Sequence, residues 1–432
     1  MDAIWTRAAE LPRFPPLKRD LQTDVLLIGG GLAGLLCAWR LTREGVNCAL
    51  LEADRLCGGV TGHTTAKVTA QHGLFCHTLL RRFGPGKARL YWEANQAALE
   101  RYRALGREID CEFQERDAYV YHRSRRDLLQ REAKACLRLG IPAELVSSLP
   151  LPFPTAGAVR LPRQAQVHPL KLLAALSREL PVFEETRVTE LLPGQAVTAS
   201  GNLVTANKMV IATHFPFLNQ HGSYFLKLYQ HRSYVLALEN APDPGGMYVD
   251  GAKTGLSFRT AENRLLLGGG GHRTGKPGGG WAELEALARR WYPQAKIAAR
   301  WAAQDCMSLD GVPYIGPYSR NTPGLYVATG FSKWGMTSAM AAAELLAALL
   351  QGRESPYAPL FSPSRSILRP QLAANGWEAA RSLLTPRGPR CPHMGCALRW
   401  NPQEHSWDCP CHGSRFGETG TLLDNPATGN LP

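Results

Sequence analysis

The sequence predicts an α/β protein whose chain closes with a small metal-holding β module. Three observations carry this. Strand-like and helix-like runs alternate through most of the 432 residues. A glycine turn sits between the first strand and the first helix. Four cysteines and three histidines crowd into residues 391–416.

Asp24–Ile28 (DVLLI) reads as a buried strand, Leu32–Glu44 as a helix and Asn47–Glu52 as a second strand, the opening of a β-α-β unit. Strand-like runs follow at Ala118–Tyr121, Met209–Ala212, Ser233–Leu238 and Arg264–Gly268, and helical ones at Ala88–Ala104, Pro169–Glu179 and Trp281–Arg290. Gly324–Gly330 gives a further strand, followed by an Ala/Leu helix to about Leu350. Residues 356–388, rich in Pro, Arg and Ser, read as a linker with one short helix. No internal repeat is found.

The chain is too long for a single core, so two or more domains are expected. It carries 49 Lys+Arg against 36 Asp+Glu, a formal net charge of +13. There is no long basic run, so the charge reads as a solvated face or as attraction for an anionic cofactor, substrate or protein rather than for nucleic acid. The N-terminus has no apolar signal core, and Met336–Leu350 is short for a membrane span and contains Glu344. A cytoplasmic protein is expected. Seven of the eleven cysteines lie scattered between Cys37 and Cys306 and read as buried thiols in a reducing compartment.

Gly29-Gly30-Gly31-Leu32-Ala33-Gly34 matches G-x-G-x-x-G in the right place, after a strand and before a helix. Gly29 allows the tight turn, Gly31 the approach of a pyrophosphate, and Gly34 close helix–strand packing. The helix N-terminus offers free N–H groups and a positive dipole end. Glu52, 18 residues after Gly34, ends the second strand where a carboxylate can take a ribose hydroxyl.

Three further stretches are informative: Cys57–Ala66 (CGGVTGHTTA), Leu309–Pro317 (LDGVPYIGP) and Leu325–Met336 (LYVATGFSKWGM). With the N-terminal glycines they resemble the D-amino-acid oxidase (DAO) superfamily of FAD-dependent oxidoreductases over about residues 22–352. The resemblance implies a Rossmann-like FAD-binding domain assembled from residues 22–80, 150–215 and 305–352. A mixed-sheet substrate domain would be inserted as residues 81–149 and 216–304, the whole unit spanning 22–355 behind an N-terminal arm, 1–21. It implies FAD contacts from Gly29, Gly31, Ala33, Gly34, Glu52, Thr61, His63, Thr64, Thr65, Val188, Asp310, Gly330, Phe331, Lys333, Trp334, Gly335 and Met336. A helix N-terminus after Gly330 would steady the charge of a reduced flavin.

His63 lies in a stretch that partly resembles one whose histidine carries flavin covalently in dimethylglycine and sarcosine dehydrogenases; a hydrogen-bonding or packing role is the alternative. Amine oxidases of the superfamily often hold a substrate carboxylate with a lysine shortly after Gly-Phe-Ser. Thr337 stands there, which puts a simple amino-acid substrate in doubt. Lys333, Arg232 and Lys67 are the other cations near cofactor-like segments. Lys333, Arg232 and His63 are the candidate catalytic residues, each with a solvated or paired role as alternative.

Cys391-x-His393 and, after 15 intervening residues, Cys409-x-x-His412 give one thiol and one imidazole in each half. A Rieske [2Fe–2S] centre needs that set, two thiolates on one iron and two imidazoles on the other; the usual zinc finger keeps its cysteines together. Cys-Pro-His-Met-Gly-Cys and Cys-Pro-Cys-His-Gly-Ser resemble the two Rieske boxes, so Cys391, His393, Cys409 and His412 are the expected ligands. The resemblance further implies a Cys396–Cys411 disulfide, and a Ser414 hydroxyl donating to a cluster sulfur. Phe416 stands where high-potential relatives often have tyrosine, which predicts a lower potential.

Ala397–Trp400 and His405–Asp408 read as a hairpin between the boxes, with His405 at the surface. The module, 389–432, has no strands ahead of its first box and is too short to fold on its own core. It is expected to pack on the flavoprotein or a second subunit, with Trp400, Trp407, Leu422 and the helix near Trp377 as candidate contacts. A homo-oligomer is left open.

A flavin and a one-electron cluster in one chain suggest a dehydrogenase that oxidises a small substrate, a C–N bond by superfamily analogy. Electrons would pass through the cluster to an unidentified external acceptor. An FAD oxidase using O2 with a structural cluster, or a non-catalytic redox sensor, are the alternatives.

Overall fold

The structure, a computed structural model, describes residues 3–218, 221–252, 255–386 and 388–432. Two large sheets and one small one organise it. The first, with eight strands, has Leu21–Ile28 at its centre, flanked in parallel by Leu203–Ile211 and Cys48–Leu51. Val25–Ile28 are buried on both faces, as a continuous apolar run in a parallel sheet requires. Helices Leu32–Arg43 and Gly335–Leu350 pack over it and over each other, sharing one core with Leu27, Leu50 and Ala328.

The nine-stranded second sheet runs in the order 296–308, 228–239, 264–273, 257–261, 247–250, 114–121, 158–166, 67–68, with 144–146 beside 158–166. It recruits 67–68 and 158–166, from stretches expected in the FAD parts, because 158–166 pairs along most of Gln114–Tyr121. Side chains alternate across it. Val235, Ala237 and Trp301 enter the core shared with the FAD-type domain. Tyr234, Leu236 and Leu238 face the other way, onto the helix Gly280–Trp291.

The third sheet is a four-stranded antiparallel meander, 399–401, 406–408, 415–417 and 422–424. Its first two strands form the expected hairpin, and His405 is exposed at a positive φ of 51°.

Two expectations change. The stretch read as a linker contains Ala358–Phe361 and the 15-residue helix Pro370–Leu384. It is anchored by Arg365, whose guanidinium holds both oxygens of buried Asp310 at 2.9 and 2.8 Å. The proline and arginine composition hid this, because Arg365's partner is remote in sequence. The N-terminal arm is also packed: Trp5 is fully buried and its Nε1 donates to the Thr64 carbonyl at 2.7 Å.

Candidate functional site

The glycine turn has the shape its spacing demands. Gly29 holds φ +111°, and a Cβ there would lie 2.7 Å from the Ala212 carbonyl oxygen. A Cβ on Gly34 would run into the Gly29 carbonyl, so helix and strand touch backbone to backbone. The helix from Leu32 has no side-chain cap and no acidic residue in its first turn, where Ala33 sits, so that turn is prepared for an anion. Thr61 Oγ1 accepts from the Leu32 amide at 2.9 Å and borders Gly31. Glu52 accepts from the Gly30 amide at 2.6 Å and the Asp54 amide at 2.9 Å. Burial pushes its carboxyl pKa up, and these amides oppose the shift. Val188 packs with Ile28 and Leu51, which close the two strands. These residues fit an extended dinucleotide.

The second contact region follows the strand Leu325–Thr329. Gly330, Ser332 and Lys333 all take positive φ, a sharp turn that delivers Trp334, Gly335 and Met336 to the uncapped start of the helix Gly335–Leu350. Phe331 bridges back to Met307. Trp334 stacks on His72 with ring centroids 4.9 Å apart and planes 11° apart. Nothing in the local pattern of residues points to His72. Its Nε2 donates to the Thr69 carbonyl at 3.0 Å and its Nδ1 accepts from Tyr91 Oη at 2.6 Å. Burial drives its pKa down to about 3, so the ring is neutral. Thr337, at the expected lysine position, is buried and bonds Thr69 O and His72.

Lys333 keeps access to solvent, yet protein crowds its amine: Nζ donates to Ser233 Oγ at 3.1 Å, and Ser233 reaches Asp305 at 3.3 Å. That enclosure pulls its pKa below the ordinary lysine value, with Asp305 opposing. Its amine is thus tied to protein groups although the side chain as a whole is exposed. Lys67 shows the same combination: half-exposed overall, its Nζ enclosed by Thr65 Oγ1 at 3.2 Å and Ser257 Oγ at 3.4 Å. Burial and then Arg259 lower it to about 7. Arg259 itself donates to the carbonyls of Thr65 and Ala66, both at 2.7 Å, and shapes the His63–Ala66 segment. His63 Nδ1 donates to the Gly59 carbonyl at 2.8 Å, while Trp301 Nε1 holds its own carbonyl at 2.9 Å.

Two candidates do other work. Asp310 is paired to Arg365 and anchors the 358–384 segment. Arg232 is 4% exposed and gripped by Glu404 of the C-terminal hairpin, Nε to Oε1 at 3.0 Å with a second contact from Nη2 to Oε2. It joins domains and is not free to bind a substrate. The surface grooves beside Trp39 and Arg43 and beside Pro152 and Trp291 contain none of these groups.

In the C-terminal module the two boxes form facing loops, turned by Gly395 and Gly413 at φ 73° and 89°. Cys391 and Cys409 bring their sulfurs within hydrogen-bonding reach. The His393 and His412 rings lie 4.9 Å apart at 89°, and His412 Nδ1 is buried with no hydrogen-bond partner among the described residues. Two adjacent sulfurs and two adjacent imidazoles, one with an orphaned ring nitrogen, fit a [2Fe–2S] cluster of the Rieske type. Ser414 Oγ accepts from the Ala427 amide at 2.9 Å and reaches the Cys391 sulfur. No pair of cysteine sulfurs lies at disulfide-bonding distance, and the sulfurs of Cys396, Cys409 and Cys411, the first and last of them the pair the resemblance implies, lie within 4.8 Å of one another in a single group.

The module packs on the flavoprotein through polar groups the sequence did not flag. Arg273 donates to the carbonyls of Pro410 and Cys411, both at 3.0 Å, and Gln304 to that of Gly413 at 2.8 Å. Asn425 Nδ2 reaches the carbonyls of Thr213 at 2.6 Å and Phe215 at 2.8 Å. Phe215 meets both imidazoles edge-on, at 6.3 Å and 6.1 Å, and Phe225 meets His412 at 6.3 Å. Trp400, an expected contact, instead lies against Trp407 and is 38% exposed. The Pro370–Leu384 helix contributes Asn375, Glu378 and Ser382 but turns Trp377 outward.

Family comparison agrees with both halves. Residues 24–349 match the FAD dependent oxidoreductase (DAO) family and residues 387–432 the Rieske [2Fe-2S] domain. The chain belongs to the DAO family. It is 35% identical to YhfW of Bacillus subtilis (strain 168), described as a Rieske 2Fe-2S iron-sulfur protein, over 99% of this chain and 96% of that one. Gamma-glutamylputrescine oxidoreductase of Escherichia coli (strain K12) is 24% identical, covering 78% of this chain and 86% of its own length. The crystal structure of glycine oxidase from Geobacillus kaustophilus superposes with a TM-score of 0.65 and 22% identity, over 80% of this chain and all of that one, a likeness of fold. This DAO-family protein is therefore an FAD-dependent oxidoreductase with a Rieske domain, and its cofactors are FAD and a [2Fe–2S] cluster. No described helix is long and apolar enough to cross a membrane.

Proposed function

We propose that this protein is a dehydrogenase that oxidises a small organic substrate beside Lys333 and sends the electrons singly through the Rieske module to an external acceptor. When bound, the flavin supplies two-electron oxidation and the cluster one-electron transfer. The observation that carries the reading is the strand Leu228–Glu239. Ser233 on one face holds Lys333. Gln230, Arg232 and Tyr234 on the other face abut the Rieske module: Tyr234 donates to Glu404 at 2.9 Å, and Gly413 packs against Gln230. One strand separates the two chemistries.

The chain's own groups have definable tasks. The Gly29–Gly34 turn and Glu52 hold the dinucleotide end. The Trp334–His72 stack packs directly after Lys333 in the chain; neutral His72, whose Nε2 is taken up by the Thr69 carbonyl and the Thr337 hydroxyl, does not act as an acid at neutral pH. Lys333 Nζ offers a positive charge to an anionic substrate group. Lys67 Nζ, held near neutrality, can exchange a proton. An amine substrate is favoured because gamma-glutamylputrescine oxidoreductase and glycine oxidase are named for amines. His63 is given a hydrogen-bonding role, its Nδ1 donating to the Gly59 carbonyl, and the flavin is held without a covalent bond; an acid-precipitated pellet should be colourless, and flavin colour in it would assign the link to Nε2. The scattered free thiols favour a reducing, cytoplasmic setting.

The test is anaerobic addition of amines and amino acids to purified protein, followed by absorbance and EPR. Bleaching of the flavin accompanied by a reduced Rieske signal supports the dehydrogenase. Flavin bleaching without any cluster reduction, with rapid peroxide formation in air, would show an oxidase instead.

A further inference from the structure

The Rieske module exposes a different side from the one it docks with. Its second box is buried against the flavoprotein. In its first box Pro392, Met394 and Gly395 are exposed, with Met394 next to the ligand His393. This open loop is joined to the end of the Pro370–Leu384 helix. Arg390 Nη1 donates to the carbonyls of Leu383 and Gly395, at 3.3 and 3.2 Å, and the Ala397 amide bonds the Ser382 carbonyl. Ser382 also reaches the Cys411 thiol.

That helix is amphipathic in an unusual sense. Asn375, Glu378 and Ser382 face inward and are buried. Trp377, Arg381 and Leu384, at spacings i, i+4 and i+7, share the outward face. Trp377 is 73% exposed and Leu384 82%; Leu383 is 50% and Met394 40% exposed. Large apolar side chains gathered in one exposed place mark a docking surface. The exposed charge around them is basic. Arg381 and Arg390 are exposed, and the single acid of residues 364–399, Glu378, is buried and paired to Lys276.

We propose that this face, built from Trp377, Leu383, Leu384 and Met394 and rimmed by Arg381 and Arg390, docks a small acidic one-electron carrier protein that exchanges electrons with the cluster. The proposal rests on the reading of the Rieske module as an electron-transfer centre. Apolar contact would hold the partner and the arginines would steer it. In the transfer, one electron leaves the reduced cluster and reduces the carrier's metal from its oxidised state by one unit, with no bond made or broken. The docking surface lies beside the open loop because Phe215 and Phe225 cover the imidazoles from the other side.

The test uses the holo-protein, its cluster reduced with dithionite and freed of excess reductant. It is mixed by stopped flow with an acidic blue-copper protein and, separately, with a basic c-type cytochrome, following cluster reoxidation. The acidic carrier should react faster, and its rate should fall as salt rises. Trp377→Glu with Leu384→Glu, and separately Arg381→Glu, should slow it at least tenfold, leaving the cluster EPR spectrum and reoxidation by ferricyanide unchanged. Rates within twofold of the parent protein, or preference for the basic cytochrome, overturn the surface. So does a dimer in sedimentation that the Glu variants make monomeric, which assigns the face to a second copy, or flotation with anionic vesicles that the variants abolish. An absent Rieske signal in the parent protein overturns the electron-transfer reading itself, and is told apart because it precedes any mixing.

Discussion

Arg232 and Glu404 form a bidentate ion pair across the seam between the substrate-domain sheet and the Rieske hairpin, with side chains 5% and 8% exposed. Glu404 is shared with Arg415, which also holds Asp408 and Asp424 at 3.0 and 2.9 Å, and with the Tyr234 hydroxyl. A charge left alone in such a place costs about 3–5 kcal/mol. Arg232→Ala should therefore destabilise the module by about that much, seen as early loss of the cluster's visible circular dichroism in urea while flavin absorbance persists. Arg232→Met combined with Glu404→Met should cost clearly less than the sum of the single changes. Additive losses would show that the pair does not hold the seam.

The same carboxylate sets an acid limit. Burial alone would raise the Glu404 pKa, but the charges of Arg232 and Arg415 outweigh it and hold it below the ordinary value. Its contribution is complete above about pH 4.3, the unfolded value for Glu, and fades as pH falls through the lower folded one. Urea midpoints of the holo-protein between pH 5 and pH 3 should fall more steeply for the parent than for Glu404→Gln. Parallel slopes would contradict the pairing.

Lys333 should act on binding. Losing one hydrogen bond to a charged group costs roughly 1.5–3 kcal/mol, about 10- to 150-fold. Lys333→Met should raise KM for a carboxylate-bearing amine by that factor with kcat little changed, and Lys333→Arg should recover part of it. An unchanged KM would return Lys333 to the solvated surface.

Ser414 and Phe416 should tune the cluster. Ser414 reaches the Cys391 sulfur, and Phe416 is fully buried among the box cysteines with no hydroxyl to offer. Ser414→Ala should lower the midpoint potential and Phe416→Tyr raise it. Each shift should be roughly 60–130 mV, taking about 1.5–3 kcal/mol for a hydrogen bond to a charged group and 59 mV per tenfold for one electron. A redox titration monitored by EPR reads both. The parent should fall toward the middle of the Rieske range, and a value at its top would refute the argument.

Local chemistry made much of this legible in advance. Gly29, Gly31, Gly34 and Glu52 act through spacing along one β-α-β unit, so they could be read directly. Cys391, His393, Cys409 and His412 likewise carry their chemistry in residue type and order. His72 could not be foreseen, since nothing in Val68–His72 tells a buried neutral ring from a surface one until Tyr91 and Trp334 arrive from elsewhere in the chain. Arg232 was visible as a cation but its partner lies 172 residues away. The pairing of Asp310 was hidden for the same reason, its partner Arg365 lying in a stretch whose composition suggested no structure.

The alternation along Leu228–Glu239 has a further meaning. Because successive side chains point to opposite sides, one inserted residue ahead of Gln230 would turn Ser233 toward the Rieske module and Arg232 toward Lys333. Both centres would fail together from a single change touching neither. The two halves thus share a common phase, set by the alternation of one strand.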